Sequence, residues 1–371
     1  MIEPLLGLRV LDLSRVLAGP LATMILGDLG ADVIKVERFS TGDESRGWGP
    51  PFDERGESAY FLSCNRNKIS VAASLADAAD QAMLRALALE ADVVVDNFRG
   101  NTLERHGLDP VPLLTSNSRL IWCTITGFGA ASVRPGYDFV VQAESGWMAI
   151  TGDVAGAPTR VGVALADVMS GKDAAISILA ALAGTRNGAA EARRLFVSLQ
   201  HSAISSLMNV AQSALVTGRE ARRWGNAHGN LVPYELFETA DRAIVVAVGS
   251  DTQFAALAVA LELRELKDPL FATNAGRIEH REAVVGAIRK RLADGPAAKW
   301  IALLDGVGVP CGVVRSVLEA LGDVQASALT GIAPIAPRSV RLPPPTLDQH
   351  GAIVRAKGWA AFADPKAMAA G

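Results

Sequence analysis

Short, almost unbroken apolar runs alternate through the first 130 residues with segments whose apolar positions recur at helical spacing. Leu8 to Leu13 reads as a strand, and Gly19-Pro20 opens a helix that Gly30 stops, with proline inside the start and glycine past the end. Val33 to Glu37 is the next strand. A strand near Ile69 to Ala73 follows, then a helix with Met83, Leu84, Leu87 and Ala91 on one side. Val93 to Val95 and Leu120 to Ile125 continue the series. Strands this uniformly apolar, alternating with helices, predict an α/β fold with a parallel sheet covered on both faces.

Beyond residue 160 the pattern changes. The helix that follows Asp167 carries Ala175, Ile178, Leu179 and Leu182 on one face and Ile176, Ala180 and Ala181 on the other, which predicts a central, buried helix. Arg194 to Leu199 reads as a strand and His201 to Val216 as helical. The polar, glycine-rich run Arg222 to Asn230 reads as a crossing between domains. A fresh strand at Ala243 to Val248 and helices from Gln253, Arg277 and Ala297 build the second domain. The breakers in Gly306 to Gly312 are expected to return the chain to the first. Pro343-Pro344-Pro345 suits an extended strap, and Ala360 to Gly371 a mobile tail. The resulting division is a large domain of residues 1–217 and 313–371 and a small one of 218–312.

Composition narrows the function. The chain has 371 residues, half of them hydrophobic, and a formal net charge of -3. That balance gives no electrostatic case for nucleic acid or an anionic membrane surface. Three scattered cysteines, Cys64, Cys123 and Cys311, fit a reducing compartment, and five histidines show no paired ligand spacing, so no metal is expected. Met1-Ile2-Glu3-Pro4 lacks the regions of a signal peptide, and no apolar run approaches bilayer length. A cytoplasmic enzyme is the expectation.

The candidate chemistry concentrates between Gly136 and Gly171. A Gly136-Tyr137-Asp138 turn precedes Gly162 to Asp167, which opens the long apolar helix. Asp167 is thus one carboxylate at a helix start in surroundings almost free of charge. Two readings are open: a helix N-cap, and a nucleophile whose ionisation the site controls. Asn97-Phe98-Arg99-Gly100 and Arg105 follow a parallel strand at its carboxyl end, where backbone amides and arginine suit a pyrophosphate as well as an ordinary turn. Arg38, after the second strand, suits a nucleotide phosphate or water. The G-x-G-x-x-G dinucleotide signature is missing after the first strand.

These motifs together resemble those of family III CoA-transferases. The resemblance rests on Arg15-Val16-Leu17-Ala18-Gly19-Pro20, Leu29 to Glu37, Asn65-Arg66-Asn67-Lys68, Asp96 to Gly100, Thr126-Gly127-Phe128-Gly129, Gly136-Tyr137-Asp138, the Asp167 helix start, Gly308 to Gly312 and Pro343 to His350. It covers the chain to about residue 355. It implies a Rossmann-like large domain built from the N- and C-terminal parts, a smaller α/β domain, and an interlocked homodimer, each subunit threaded through the other. It also implies that Asp167 is the nucleophile, passing through an aspartyl anhydride and an aspartyl-CoA thioester. Arg38, Asn97, Phe98 and Arg105 fall where the family contacts the nucleotide end of coenzyme A, and Tyr137 near the thioester.

A lysine often found after the third strand is absent, Leu17 replaces the glutamine of oxalate-type members, and the glycine lid is reduced to Ala247 to Asp251. The Arg223 to Tyr234 stretch and Gly47 to Pro51 are similar to the succinyl-CoA-dependent dicarboxylate branch. A remote carboxylate calls for a cation, for which Arg15, Arg46, Arg223 and His228 are the candidates. The partners so implied are an acyl-CoA, a small carboxylate and a second copy of the chain, with coenzyme A thioester as substrate and no tightly bound cofactor. The competing readings are a 2-methylacyl-CoA racemase on the same fold, in which a histidine stands at the position of Tyr137, and a non-catalytic CoA-binding protein.

Overall fold

Six strands pair in parallel in the computed structural model, which describes residues 3–186, 193–333 and 340–363. They are β1 (Arg9–Asp12), β2 (Asp32–Arg38), β3 (Lys68–Ala73), β4 (Val93–Asp96), β5 (Ile121–Thr126) and β6 (Arg194–Ser198). Their order in the sheet is β3-β2-β1-β4-β5-β6, with Val10 opposite both Val33 and Val93. The order reverses between β1 and β4, and such a switch point opens a crevice at the carboxyl ends of the strands.

Alternation along each strand divides its apolar side chains between two cores. Val10, Val33, Val93, Cys123 and Ile125 face the helices Ala18–Asp28 and Leu165–Arg186. Leu11, Ile34, Ile69, Val94 and Trp122 face the helix Ala78–Glu90 and the C-terminal residues Val354 and Trp359. The covered parallel sheet expected from the apolar strands is therefore present.

Clustering of the chain gives two compact units. The first holds Met1–Trp147, Arg160–Arg219 and Val324–Gly371; the second holds Met148–Thr159 and Glu220–Asp323. The second is built on a three-stranded antiparallel sheet of β7 (Tyr234–Phe237), β8 (Ile244–Ala247) and β9 (Cys311–Val313). Phe237, Val246, Phe254, Leu257, Ile288 and Trp300 fill its core.

Several expectations need correction. The breaker-rich segment around Gly308 does not take the chain back to the first unit. It leads into β9, where Val313 pairs with Ile244. The long helix buries Ala174, Ala175, Ile178 and Ala181 but leaves Lys172, Ile176 and Ala180 exposed, so within one chain only one of its faces is covered. The segment read as one helix from His201 is two, Leu199–Ser205 and Met208–Thr217, and the second buries no residue. Pro343 to Pro345 is an extended strap, with the Pro344 carbonyl accepting from Arg55 and that of Pro345 from Arg46. The segment read as a tail from Ala360 begins inside a short 3-10 helix, Gly358–Ala363, with Ala361 buried, and 364–371 lies outside the described residues. Among the described residues no helix is long and apolar enough to cross a membrane.

Candidate active site

The end of β1 is anchored from beneath by charge. Asp12 accepts from the Ser14 amide (2.9 Å), the Thr23 hydroxyl (2.7 Å) and Lys68 Nζ (2.9 Å). Burial alone would raise its carboxyl, but Lys68, Lys35 and the hydroxyls outweigh burial and hold it at about 2. Lys35 Nζ donates to the Ser14 carbonyl and to Asp43, each at 3.0 Å, and Asp43 in turn accepts the Val16 amide at 3.2 Å. Val16 needs that support. Its φ is 72°, a left-handed conformation that costs a β-branched residue roughly 1–3 kcal/mol. The Ser14 to Ala18 loop is thus a strained segment fixed by buried ion pairs, and it forms one wall of a cavity of about 730 Å³.

The other walls come from the carboxyl ends of β2, β4 and β5, with Arg194 and Phe196 of β6 beside them. At the end of β4, Asp96 accepts from the Phe98 amide (3.0 Å) and Trp122 Nε1 (2.7 Å), which sets the turn Asn97 to Gly100. Burial pushes the Asp96 carboxyl up despite these bonds. Asn97 clamps the backbone of Arg15 in both directions, accepting from its amide at 3.0 Å and donating to its carbonyl at 2.8 Å. Arg15 then lies over the Phe98 ring at 5.3 Å and pairs with Glu44 at 2.6 Å, while its Nε is buried with no hydrogen-bond partner. Arg38 pairs more loosely with Glu44, at 3.7 Å. Arg99, Arg134 and Arg194 line the same cavity. Five arginines thus line one space, together with Glu44, Asp96 and Glu104, and Arg134 is itself paired with Glu144 at 2.6 Å; the arginines suit it to an anionic ligand.

Two glycines bring the next wall into place. A Cβ on Gly127 would stand 2.5 Å from the Cα of Gly136, so only glycine at both positions lets the Gly136-Tyr137-Asp138 turn lie against the end of β5. Tyr137, 58 % exposed, then lines the cavity just before the helix Asp138–Glu144. Asp167 lines it too, from the first turn of Leu165–Arg186, with 9 % of its surface exposed. Burial, and then the charge of Asp138, push its carboxyl up to about 7. The site therefore makes this carboxylate more basic than an ordinary aspartate, where position near a helix start alone would favour the ion.

The N-cap reading of Asp167 does not hold. The side chain that caps this helix is Asp138, whose Oδ1 accepts the amides of Ala166 (2.7 Å) and Asp167 (3.3 Å). Asp167 is left free of that duty. Sequence reading missed Asp138 because the cap comes from 28 residues away, outside the local spacing by which caps are recognised.

The structure thus collects Arg15, Arg38, Asn97, Phe98, Tyr137 and Asp167 around one cavity. Arg105 is exposed at the end of the short helix Thr102–Arg105 and is not among the lining residues. Arg46 is a correction: it is buried between Glu37 (2.7 Å) and Glu57 (2.6 Å), stacked on Phe61 at 3.7 Å and bonded to the Pro345 carbonyl, which leaves no free charge for a substrate. Arg223 and His228 belong to the second unit. There Arg223 donates to the carbonyls of Asp153 and Gly156, and His228 Nδ1 accepts the Asn230 amide beside the Tyr234 ring. Among the described residues no group of His, Cys, Asp and Glu could hold a metal ion.

Comparison with known proteins agrees with this geometry. The model of "CoA-transferase family III" matches residues 5–357. Succinyl-CoA:glutarate CoA-transferase of Mus musculus is 42% identical over 330 residues, 87% of this chain and 74% of the mouse protein. A succinate–glutarate CoA-transferase of Agrobacterium fabrum is 39% identical over 340 residues, 88% of this chain and 83% of its own. The crystal structure of a CAIB/BAIF family protein from Brucella suis superposes with a TM-score of 0.84 at 36% identity, covering 96% of this chain and 100% of that one. With the family matched from the first strand to the last helix, the chain belongs to CoA-transferase family III.

Proposed function

We propose that this CoA-transferase moves coenzyme A from succinyl-CoA to a small dicarboxylate, with glutarate the leading acceptor, through covalent intermediates on Asp167. The observation that carries the reading is the placement of Asp167: a nearly buried carboxylate at the edge of a cavity rich in arginine, its helix capped by another residue. The printed activities of the mouse and Agrobacterium relatives support the choice of donor and acceptor.

In the first step an Asp167 carboxylate oxygen attacks the thioester carbonyl of succinyl-CoA, the C–S bond breaks, and the thiolate leaves an aspartyl succinyl anhydride. The thiolate next attacks the aspartyl carbonyl and expels succinate, giving an aspartyl-CoA thioester. The acceptor carboxylate displaces the thiolate from that carbonyl, and the thiolate returns to the acceptor's acyl carbon, releasing the new CoA ester and restoring Asp167. Each exchange conserves the activated bond, so no ATP is needed. Retention of the thiolate in the cavity makes the exchanges effectively intramolecular and keeps hydrolysis low.

On this reading Arg38, Asn97 and Phe98 hold coenzyme A, and Tyr137 stands by the reacting carbonyl. Arg15, with its unpartnered Nε, is the candidate on this cavity wall for the acceptor's remote carboxylate. A homodimer is part of the proposal, since Ile176, Met208, Leu215 and Val216 leave apolar surface uncovered on the single chain. A cytoplasmic setting and the absence of any resident cofactor complete it.

The test is a rate comparison with succinyl-CoA as donor and glutarate, itaconate and malate beside butyrate and acetate as acceptors, in wild type and Asp167→Ala. A site that pairs a remote carboxylate leaves a cation unmatched when that group is missing, so the monocarboxylates should be far poorer acceptors. Equal rates for butyrate and glutarate would remove the dicarboxylate assignment. Turnover in Asp167→Ala would remove the covalent mechanism.

A further inference from the structure

The segment that delivers Asp167 to the cavity hangs on two side chains of one short helix. Asp138 is 8 % exposed and Gln142 fully buried. Besides the Ala166 and Asp167 amides on its Oδ1, Asp138 accepts Gln142 Nε2 on Oδ2 at 2.6 Å. Gln142 Oε1 accepts the Val161 amide at 2.9 Å, and its Nε2 also reaches the Val163 carbonyl at 3.3 Å. Residues 161, 163, 166 and 167 are all tied to this pair. A carboxylate buried this deeply with no cation paired to it is costly, and Ala166 and Asp167 amides could be capped by a neutral Asn or Ser at lower cost.

We propose that Asp138 is a positioning residue for the Asp167 chemistry: its carboxylate fixes the first helical turn at the cavity edge, and its negative charge destabilises the free Asp167 anion relative to the neutral acylated forms. The second half follows from the order of the cycle. Asp167 is charged only before it attacks and after it is released; in the anhydride and thioester it is neutral. A fixed anion beside it therefore favours attack, and a more basic carboxylate is a better nucleophile. The charged and titratable groups that act on Asp167 are Asp138, from the helix Asp138–Glu144, and Tyr60, from the turn Ala59–Leu62, whose phenol is pushed up by burial and then by Asp167. Arg15, on the opposite wall, shares the cavity.

This inference rests on the reading of Asp167 as the nucleophile, so Asp167→Ala is run alongside. Asp138→Asn removes the charge and keeps one acceptor for Ala166. Its new amide faces Gln142 Nε2, however, and turning Gln142 over sets a donor against the Val161 amide. The double variant Asp138→Asn with Gln142→Glu restores an acceptor for both donors, giving up only the long contact to Val163. Folding is followed by circular dichroism and coenzyme A binding by calorimetry.

The expected result for Asp138→Asn is a kcat at least about tenfold lower, a KM for succinyl-CoA changed by less than about threefold, and an acid limb of kcat/KM moved to lower pH. The double variant should recover stability and part of kcat. A wild-type kcat and acid limb in Asp138→Asn would overturn the proposal. So would a loss that follows the folded fraction in both variants with the acid limb unmoved, which would make Asp138 a structural cap alone. If Asp167→Ala still turns over, the nucleophile assignment fails; if it is inactive while Asp138→Asn behaves as wild type, only this inference fails.

Discussion

Gly171 lies one turn beyond Asp167 on the same helix, where that helix packs closely against Ala18 of the cavity wall. A Cβ there would meet the Ala18 carbonyl oxygen at 2.6 Å and the Leu21 side chain at 3.1 and 3.2 Å. The closest contact is backbone, so relief requires the helices Leu165–Arg186 and Ala18–Asp28 to part. For Gly171→Ala, overpacking of this kind costs about 1–3 kcal/mol. Alanine in place of glycine in a helix interior returns about 1 kcal/mol, so the net loss is ~0–2 kcal/mol, a melting point lowered by no more than about 8 °C.

Activity should suffer more than stability. A displacement near 1 Å in a nucleophile's support lowers kcat by about tenfold to a hundredfold. Gly286, in the helix Arg281–Leu292 of the second unit, provides the control because a Cβ there meets nothing within 4 Å. Gly286→Ala should gain about 0.5–1 kcal/mol and leave kcat unchanged. The assays are thermal melts and succinyl-CoA turnover on both variants. If Gly171→Ala were stabilised like Gly286→Ala and turned over at the wild-type rate, close packing at this point would not set the position of Asp167.

Arg46→Ala should destabilise the fold by about 3–5 kcal/mol, seen in denaturant titration, because Glu37 and Glu57 are left buried and unpaired, and any folded fraction should keep the wild-type ranking of acceptors. Arg38→Ala should raise KM for succinyl-CoA and make it more sensitive to salt, while Arg105→Ala, exposed and off the cavity wall, should leave KM near wild type in the same kinetic series. The pH dependence has two signs. With its carboxyl raised to about 7, Asp167 loses its anion and the enzyme its kcat/KM as pH falls through that value. Its contribution to stability is present below the unfolded value of 3.8 and is lost as pH rises through about 7, so Asp167→Asn should melt higher than wild type at pH 8 and show little difference at pH 4.

The central sheet was legible because its strands are apolar on both faces and its helices carry ordinary start and stop signals. Asn97 and Asp167 were legible from their places just after a strand and at a helix start, and Arg15 through the family resemblance. What escaped was long-range. Lys35 and Lys68 look like solvated strand positions, yet both are fully buried, Lys35 against Asp43 in the loop after its own strand and Lys68 against Asp12 of a distant one. Arg46 looks like a free surface cation and is enclosed by Glu37, Glu57 and a strap some 300 residues further on. The three-residue strand Cys311–Val313 contains glycine and follows proline, so its local signal is that of a turn; only its pairing with Val246 and Ile244 makes it a strand. Asp138 was read as part of a turn, because nothing in the spacing shows which helix its carboxylate would meet.

The most direct test of the account is to trap the covalent enzyme. The protein is incubated with succinyl-CoA in the absence of acceptor, treated with hydroxylamine, digested and sequenced by mass spectrometry, with Asp167→Ala in parallel. The account predicts a hydroxamate on Asp167 in the wild type, formed only when succinyl-CoA is present, and none in the variant, which should still bind coenzyme A. A hydroxamate on another carboxylate, or an unmodified Asp167 in enzyme that turns over normally, would contradict it.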